Sequence, residues 1–192
     1  MDWMIKMKKY LWLGFISLLF VLNGCLTFKT VEYEVKVAKD LSAKGKVIFR
    51  GVGSDVLDAD QRKLDVKSLV EHALLSDEFV KDRASEGKKV TGRKLYEKNG
   101  YLVAEIEFSV KHVGEIEGIY LSDKYIYVDI DKESKLESAN GEITTYGGGQ
   151  QILWKKGPGE LKYSVSVYDD ESFKPFSLLE EYKTYIQSKS KK

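Results

Sequence analysis

The sequence has one cysteine, two prolines, two histidines and almost no net charge. One cysteine excludes an intrachain disulfide and a cysteine-based zinc site. With so few prolines, the 192-residue chain has no proline-rich linker. The formal net charge of +1 argues against a nucleic-acid binder that depends on bulk positive charge. Nucleic acid is therefore not among the expected partners.

Catalytic and cofactor motifs are also missing. His72 and His112 lie far apart, and neither belongs to an HExxH or a paired-histidine spacing. The chain contains no G-x-S-x-G nucleophile elbow. We therefore expect no catalytic residue, no metal ion and no cofactor, and we predict that the protein is not an enzyme.

Two acidic loops and a glycine run have ordinary interpretations. The acidic residues could supply oxygen ligands for calcium, but neither loop has the EF-hand spacing, and helix caps and turns are the better explanation. Gly147–Gly149 lacks the Gly-Lys-Ser/Thr ending of a phosphate-binding loop and predicts a hairpin turn. The acidic residues are Asp55, Asp58 and Asp60 in one loop and Asp129, Asp131 and Glu133 in the other.

The N-terminus contains the most specific motif of the sequence. Three lysines, Lys6, Lys8 and Lys9, precede an apolar run from Leu11 to Leu22. The run is about a dozen residues long, whereas a bilayer-spanning helix needs about 20. It ends in Leu22-Asn23-Gly24-Cys25, which contains the only cysteine of the chain. This arrangement is typical of an export signal.

These residues resemble a bacterial lipoprotein lipobox. Leu22, Gly24 and Cys25 match the pattern, while Asn23 replaces the more usual Ala, Ser or Thr. The resemblance implies that residues 1–24 are a removed signal peptide and that Cys25 carries a diacylglycerol and an amide-linked fatty acid such as palmitate. Each buried CH₂ contributes about 0.8 kcal/mol to such an anchor. The resemblance also implies a membrane location, and Leu26 after the cysteine favours the outer over the inner membrane.

Alternating apolar and polar residues predict strands through most of residues 25–192. The clearest strand spans Leu102–Val110, and Asn99-Gly100 before it is typical of a type I′ hairpin turn. The spacing changes to a helical one near residues 62–86, where Asp65 and Ser76 are candidate caps and Gly87 a candidate stop.

A second helix is predicted near residues 177–188, opened by a Ser177–Glu180 capping box. Residues 189–192 form a short basic tail. Together, these strands and helices predict one α+β domain over residues 25–192, with an antiparallel sheet of about seven to nine strands.

Three tyrosines are the candidate binding residues, and together with Tyr96, Tyr101 or Tyr146 they are candidates for one contact surface. Tyr120, Tyr125 and Tyr127 are expected on the sheet face opposite Ile126 and Val128. Tyrosine suits an amphipathic contact surface, but it is also simply a good strand former. The sequence leaves both interpretations open.

Residues 25–192 also carry short segments that resemble LppM-type lipoprotein domains. These segments are the strand-turn-strand Val35–Phe49, Asn140-Gly141-Glu142-Ile143, and Ile152-Leu153-Trp154. Members of that group often have a C-terminal membrane segment, which this sequence lacks. The resemblance implies a non-enzymatic α+β envelope domain that meets lipids or glycolipids.

We expect a lipid-anchored envelope lipoprotein with a non-catalytic binding or scaffolding domain. Its partners would be the membrane, through the acyl chains on Cys25, and a lipid or an envelope protein. Two alternatives stay open. One is a lipid or lipoprotein carrier with an apolar cavity, as in LolB-like lipoproteins. The other is an enzyme acting on cell-wall or glycan substrates, which would need two carboxylates about 5–10 Å apart.

Overall fold

The computed structural model describes residues 26–132, 134–167 and 175–190. The predicted signal peptide, the lipobox and Cys25 lie outside these residues, as do Glu133 and the last two lysines of the basic tail. The described part has the predicted α+β class. It contains thirteen strands in three antiparallel sheets, so the prediction of seven to nine strands in one sheet was too low.

The strands are numbered in chain order. They are β1 (Leu26–Thr27), β2 (Thr30–Val37), β3 (Ala43–Arg50), β4 (Gly53–Ser54), β5 (Lys89–Lys98), β6 (Tyr101–Val110), β7 (Ile119–Leu121), β8 (Tyr125–Ile130), β9 (Lys135–Ala139), β10 (Glu142–Tyr146), β11 (Gly149–Lys155), β12 (Gly159–Ser166) and β13 (Phe176–Ser177). A six-stranded sheet has the order β5-β6-β3-β2-β12-β9, a four-stranded sheet the order β10-β11-β8-β7, and a small sheet the order β1-β4-β13.

Five helical elements occur among the described residues, and all but the 3₁₀ turn fall in the two predicted helical regions. They are α1 (Ala59–Ser68), a π-helical segment (Leu69–Leu75), α2 (Asp77–Ser85), a 3₁₀ turn (Val113–Glu115) and α3 (Leu179–Ser190). No helix among the described residues is both long and apolar enough to cross a bilayer.

Several local predictions are confirmed. Asn99 and Gly100 both have positive φ, 53° and 78°, as a type I′ turn requires. The Ser76 hydroxyl accepts a hydrogen bond from the backbone N–H of Glu78 at 3.0 Å and caps α2. Gly87, with φ of 81°, follows the end of α2.

Two predicted caps were wrong. Asp58 caps α1, because its carboxylate accepts from the backbone N–H groups of Asp60 and Gln61. Asp65 instead lies buried inside α1, where its carboxylate accepts from the Ser54 hydroxyl at 2.9 Å. Ser177 belongs to β13, whose pairing with β4 keeps the backbone extended. Its hydroxyl accepts from the N–H of Leu179, not Glu180, so the predicted capping box is not formed.

The core lies on one face of the six-stranded sheet. At one end the helices cover it, since the Tyr182 hydroxyl of α3 donates to the Leu95 carbonyl of β5 at 2.9 Å. At the other end the four-stranded sheet packs against it through Trp154 and Tyr163, whose ring centroids are 6.1 Å apart. Buried residues from both sheets and the helices form one continuous cluster.

Candidate functional site

The three candidate tyrosines lie on the outer face of the four-stranded sheet. In β8, Ile126 and Val128 are buried, while Tyr125 and Tyr127 point to the opposite face and stay half-buried. Tyr120 of β7 is the cross-strand partner of Tyr127. Their rings stack with centroids 5.4 Å apart and planes 28° from parallel. The predicted placement of these side chains is therefore confirmed.

The neighbouring strand extends this surface. Leu153 of β11 pairs with Tyr127 from the other side and is half-buried. We call Tyr120, Tyr125, Tyr127 and Leu153 the tyrosine face. Because directly paired residues share a face of the sheet, these four side chains form one strip across three strands. The strip is an apolar and aromatic surface with phenol groups that can hydrogen-bond to a partner.

Polar residues border the tyrosine face. The Gln151 amide donates to the Asp129 carboxylate at 2.6 Å, and this pair lies two residues beyond Leu153 and Tyr127 on the same face of β11 and β8. Burial raises the pKa of Tyr120, and the nearby negative charge of Asp129 raises it further. The Tyr120 phenol is therefore protonated at neutral pH and can donate a hydrogen bond.

The short turn before β8 fixes the position of Tyr125. The Ser122 hydroxyl accepts from the N–H of Tyr125 at 3.0 Å, and the Ser122 N–H donates to the Tyr125 carbonyl at 2.8 Å. Such a turn sets the register between β7 and β8. That register brings Tyr120 opposite Tyr127.

The glycine run and one of the two histidines have structural roles in the described chain. No group of three or more His, Cys, Asp or Glu side chains suited to a metal ion occurs among residues 26–132, 134–167 and 175–190. Gly147 and Gly148 have positive φ and form the β10–β11 turn. His72 is exposed on the π-helical segment. The His112 Nδ1 accepts from the N–H of Gly114 and caps the 3₁₀ turn.

The second face of the six-stranded sheet is charged and contains an open depression of about 490 Å³. Three of its carboxylates, Glu34, Glu107 and Glu160, each have a lysine partner at 3.2, 2.7 and 3.1 Å. Beside the depression, burial pushes the pKa of Glu105 up, but hydrogen bonds from Lys94 and Tyr96 outweigh it and the pKa is lowered. A glycosidase acid needs a raised pKa, so this face gives the enzyme alternative no support.

A lipid carrier needs an apolar cavity of acyl-chain size. The pocket between the π-helical segment and the sheet is lined by Leu69, Leu74 and Phe49, among others, and holds only about 20 Å³. That volume fits about one water molecule. This pocket therefore gives the carrier alternative no support.

A polar cluster at the end of α2 was not predicted from the sequence. Glu86, at the end of α2, accepts from Arg83 at 2.6 Å and from Lys88 at 3.2 Å, and both cations are almost fully buried. The Arg83 Nε is buried without a hydrogen-bond partner. Burial raises the pKa of nearby Glu117. Only the close spacing of opposite charges around Gly87 could have indicated this cluster, and such spacing usually marks a solvated helix end.

Comparison with known proteins adds no assignment. The chain matches no protein-family model, no curated protein and no solved structure. The resemblances to a lipobox and to LppM-type domains stay predictions from the sequence.

Proposed function

We propose that the protein is a lipid-anchored bacterial envelope lipoprotein, acylated on Cys25, whose domain binds a partner and does not catalyse a reaction. The lipobox residues Leu22, Asn23, Gly24 and Cys25 support the anchor. The described fold begins immediately after them, because Leu26 is buried in β1. An acylated Cys25 would therefore hold the domain at the membrane without a spacer. By the same resemblance the membrane is the outer one.

The main support for a binding role is the stacked pair of Tyr120 and Tyr127 on the tyrosine face. Tyr120 is exposed although it packs on its neighbour. Tyrosine is enriched in protein–protein interfaces, where its ring supplies contact area at a small entropic cost. An exposed sheet face of this kind suits another protein surface better than a small molecule, which prefers a concave site. The partner that this face fits is an envelope protein.

Intact mass spectrometry tests the anchor. The protein is extracted with detergent from a bacterial host, and a Cys25→Ala variant is prepared beside it. We expect a chain that begins at Cys25 and carries two or three acyl chains, and an unacylated variant. A cleaved chain with a free Cys25 thiol would refute the lipoprotein assignment.

Site-specific photocrosslinking tests the tyrosine face. A benzophenone amino acid replaces Tyr120 in one variant and Tyr101 in another, since both tyrosines are exposed but only Tyr120 belongs to the tyrosine face. We expect a discrete protein adduct in whole cells from position 120 and none from position 101. Equal adducts at both positions, or none at position 120, would refute the assignment of this face.

A further inference from the structure

The small sheet places the proposed anchor beside an exposed aromatic ring. In this sheet Leu26 pairs with Ser54, and Ser54 pairs with Phe176 on its other side. Neighbouring strands are about 4.8 Å apart, so Leu26 and Phe176 are separated by about 10 Å. Cys25 is the next residue before Leu26. Any acyl chain on Cys25 would therefore leave the domain close to Phe176.

An exposed leucine lies in the same region. Leu57 is 82% exposed and Phe176 is 39% exposed. Arg62 connects them, because its guanidinium lies 4.7 Å from the Phe176 ring centroid and donates to the Leu57 carbonyl at 2.7 Å. Arg62 is itself fixed by an ion pair with Glu181 at 2.9 Å. One guanidinium therefore contacts both residues, and both apolar side chains remain exposed.

A lysine and a tyrosine lie at the same end of the six-stranded sheet. Lys29 comes just before β2, and its Nζ is 5.5 Å from the centroid of the Tyr101 ring. Tyr101 is exposed and opens β6. Tyrosine and lysine are the side chains that settle at the headgroup level of a bilayer, with an apolar body inside and a polar end in water.

We propose that this end of the domain docks directly on the bilayer, with Leu57 and Phe176 inserted in the interface and Tyr101 and Lys29 at its rim. The inference rests on the proposed acylation of Cys25. It follows from the absence of a spacer between Cys25 and the buried Leu26. Once the acyl chains are in the membrane, these exposed apolar groups lie within reach of it.

The charged residues near Leu57 and Phe176 indicate which kind of lipid this end of the domain binds. Asp55, Asp58 and Asp60 are exposed beside Leu57. The neighbouring cations Arg62 and Lys63 are each paired with a carboxylate, so this region attracts anionic lipids weakly. Docking therefore depends on apolar insertion and proceeds on neutral phosphatidylcholine. Salt has little effect on it, because screening weakens charge interactions and not apolar burial.

Fluorescence of a labelled cysteine tests the docking. Leu57→Cys and, separately, Phe176→Cys are introduced into the full protein, which is extracted in detergent, labelled with a thiol-reactive NBD dye and reconstituted in phosphatidylcholine vesicles. The control is Leu75→Cys, since Leu75 is 65% exposed. Leu75 is next to Ser76, whose carbonyl accepts a hydrogen bond from Arg93 of β5. Arg93 lies about 17 Å along β5 from Lys98, which pairs with Tyr101 at the proposed docking end. Leu75 is therefore distant from that end. An acylated Cys25 cannot react, so each chain takes one dye.

We expect a blue-shifted emission and strong quenching by brominated phosphatidylcholine at positions 57 and 176, and neither at position 75. One dye per chain with equal emission at all three positions would overturn docking and leave the anchor intact. Quenching that requires anionic lipid would overturn apolar insertion. Two dyes per chain would show a free Cys25, which overturns the anchor and the docking that rests on it.

Discussion

Asn140 joins the two large sheets, and its removal should destabilise the protein measurably. It lies between β9 of the six-stranded sheet and β10 of the four-stranded sheet. Its side-chain oxygen accepts from the Trp154 indole N–H at 2.7 Å and from the backbone N–H of Lys162 at 2.8 Å. Its amide donates to the Glu160 carbonyl at 2.9 Å. Asn140→Ala removes all three hydrogen bonds.

The expected loss follows from these bonds. A hydrogen bond contributes about 0.5–1.5 kcal/mol net. Asn140 is exposed and water can replace part of what it provides, so the lower end of that range applies. Trp154 is buried, however, and its indole N–H is harder to satisfy again. We expect Asn140→Ala to lower the free energy of unfolding by about 2 kcal/mol, the sum of three such bonds.

Urea denaturation followed by far-UV circular dichroism measures this loss. The matched background is Trp154→Phe, which removes the indole N–H and keeps an aromatic ring in the core. In that background Asn140→Ala should cost about 1 kcal/mol less, because only two bonds remain to be lost. A loss below about 0.5 kcal/mol, or equal losses in both backgrounds, would refute the role given to Asn140.

Three further changes test other parts of the structure. Gly141→Ala should destabilise the protein by about 1–3 kcal/mol, because a Cβ there would lie 2.7 Å from Ile152; a neutral result in urea denaturation would contradict this close approach. Burial raises the pKa of Glu117 above its ordinary value of 4.5. Between about pH 4.5 and the raised pKa, the folded protein therefore keeps a proton that the unfolded chain releases. The stability of the fold falls as the pH rises through this range. Glu117→Gln should therefore gain in thermal stability over the wild type as the pH rises toward 7, and a constant difference would contradict this linkage. Arg62→Ala should cost about 2–3 kcal/mol and Glu181→Gln less, since Arg62 keeps its carbonyl contacts; the opposite order of unfolding free energies would argue against the assigned contacts.

The alternation of apolar and polar residues correctly predicted strands and the buried face of each, but it did not predict how the strands divide into sheets. Alternation in β8 correctly separated Ile126 from Tyr125 and Tyr127. Period 2 specifies which face of a strand is buried and says nothing of the neighbouring strand. The chain changes sheets at Asn140 and Gly141, where long-range hydrogen bonds decide the path. The strands of two residues, such as β13, are too short to show any period.

The caps show a similar limit. Asp58 and Asp65 both stand near the start of the apolar helical spacing, and either is a good N-cap residue. The buried Ser54, which comes from β4, donates to Asp65. That tertiary contact draws Asp65 into the helix and leaves Asp58 at the cap. The Arg83 cluster was missed for the same reason, since Glu117, which lies near Arg83 and Lys88, is distant from them in sequence.

The two proposed surfaces are compatible with one orientation on a membrane. β8 ends at Ile130, and the chain then reaches Lys135, which pairs with Ser166, and Ser166 pairs with Thr30 near the proposed anchor. Tyr125 starts β8 and lies five residues before Ile130, or about 17 Å along the strand. The tyrosine face thus extends away from the docked end. Under both proposals, a protein in the same membrane would reach the tyrosine face from the side while Leu57 and Phe176 occupy their proposed place in the bilayer interface.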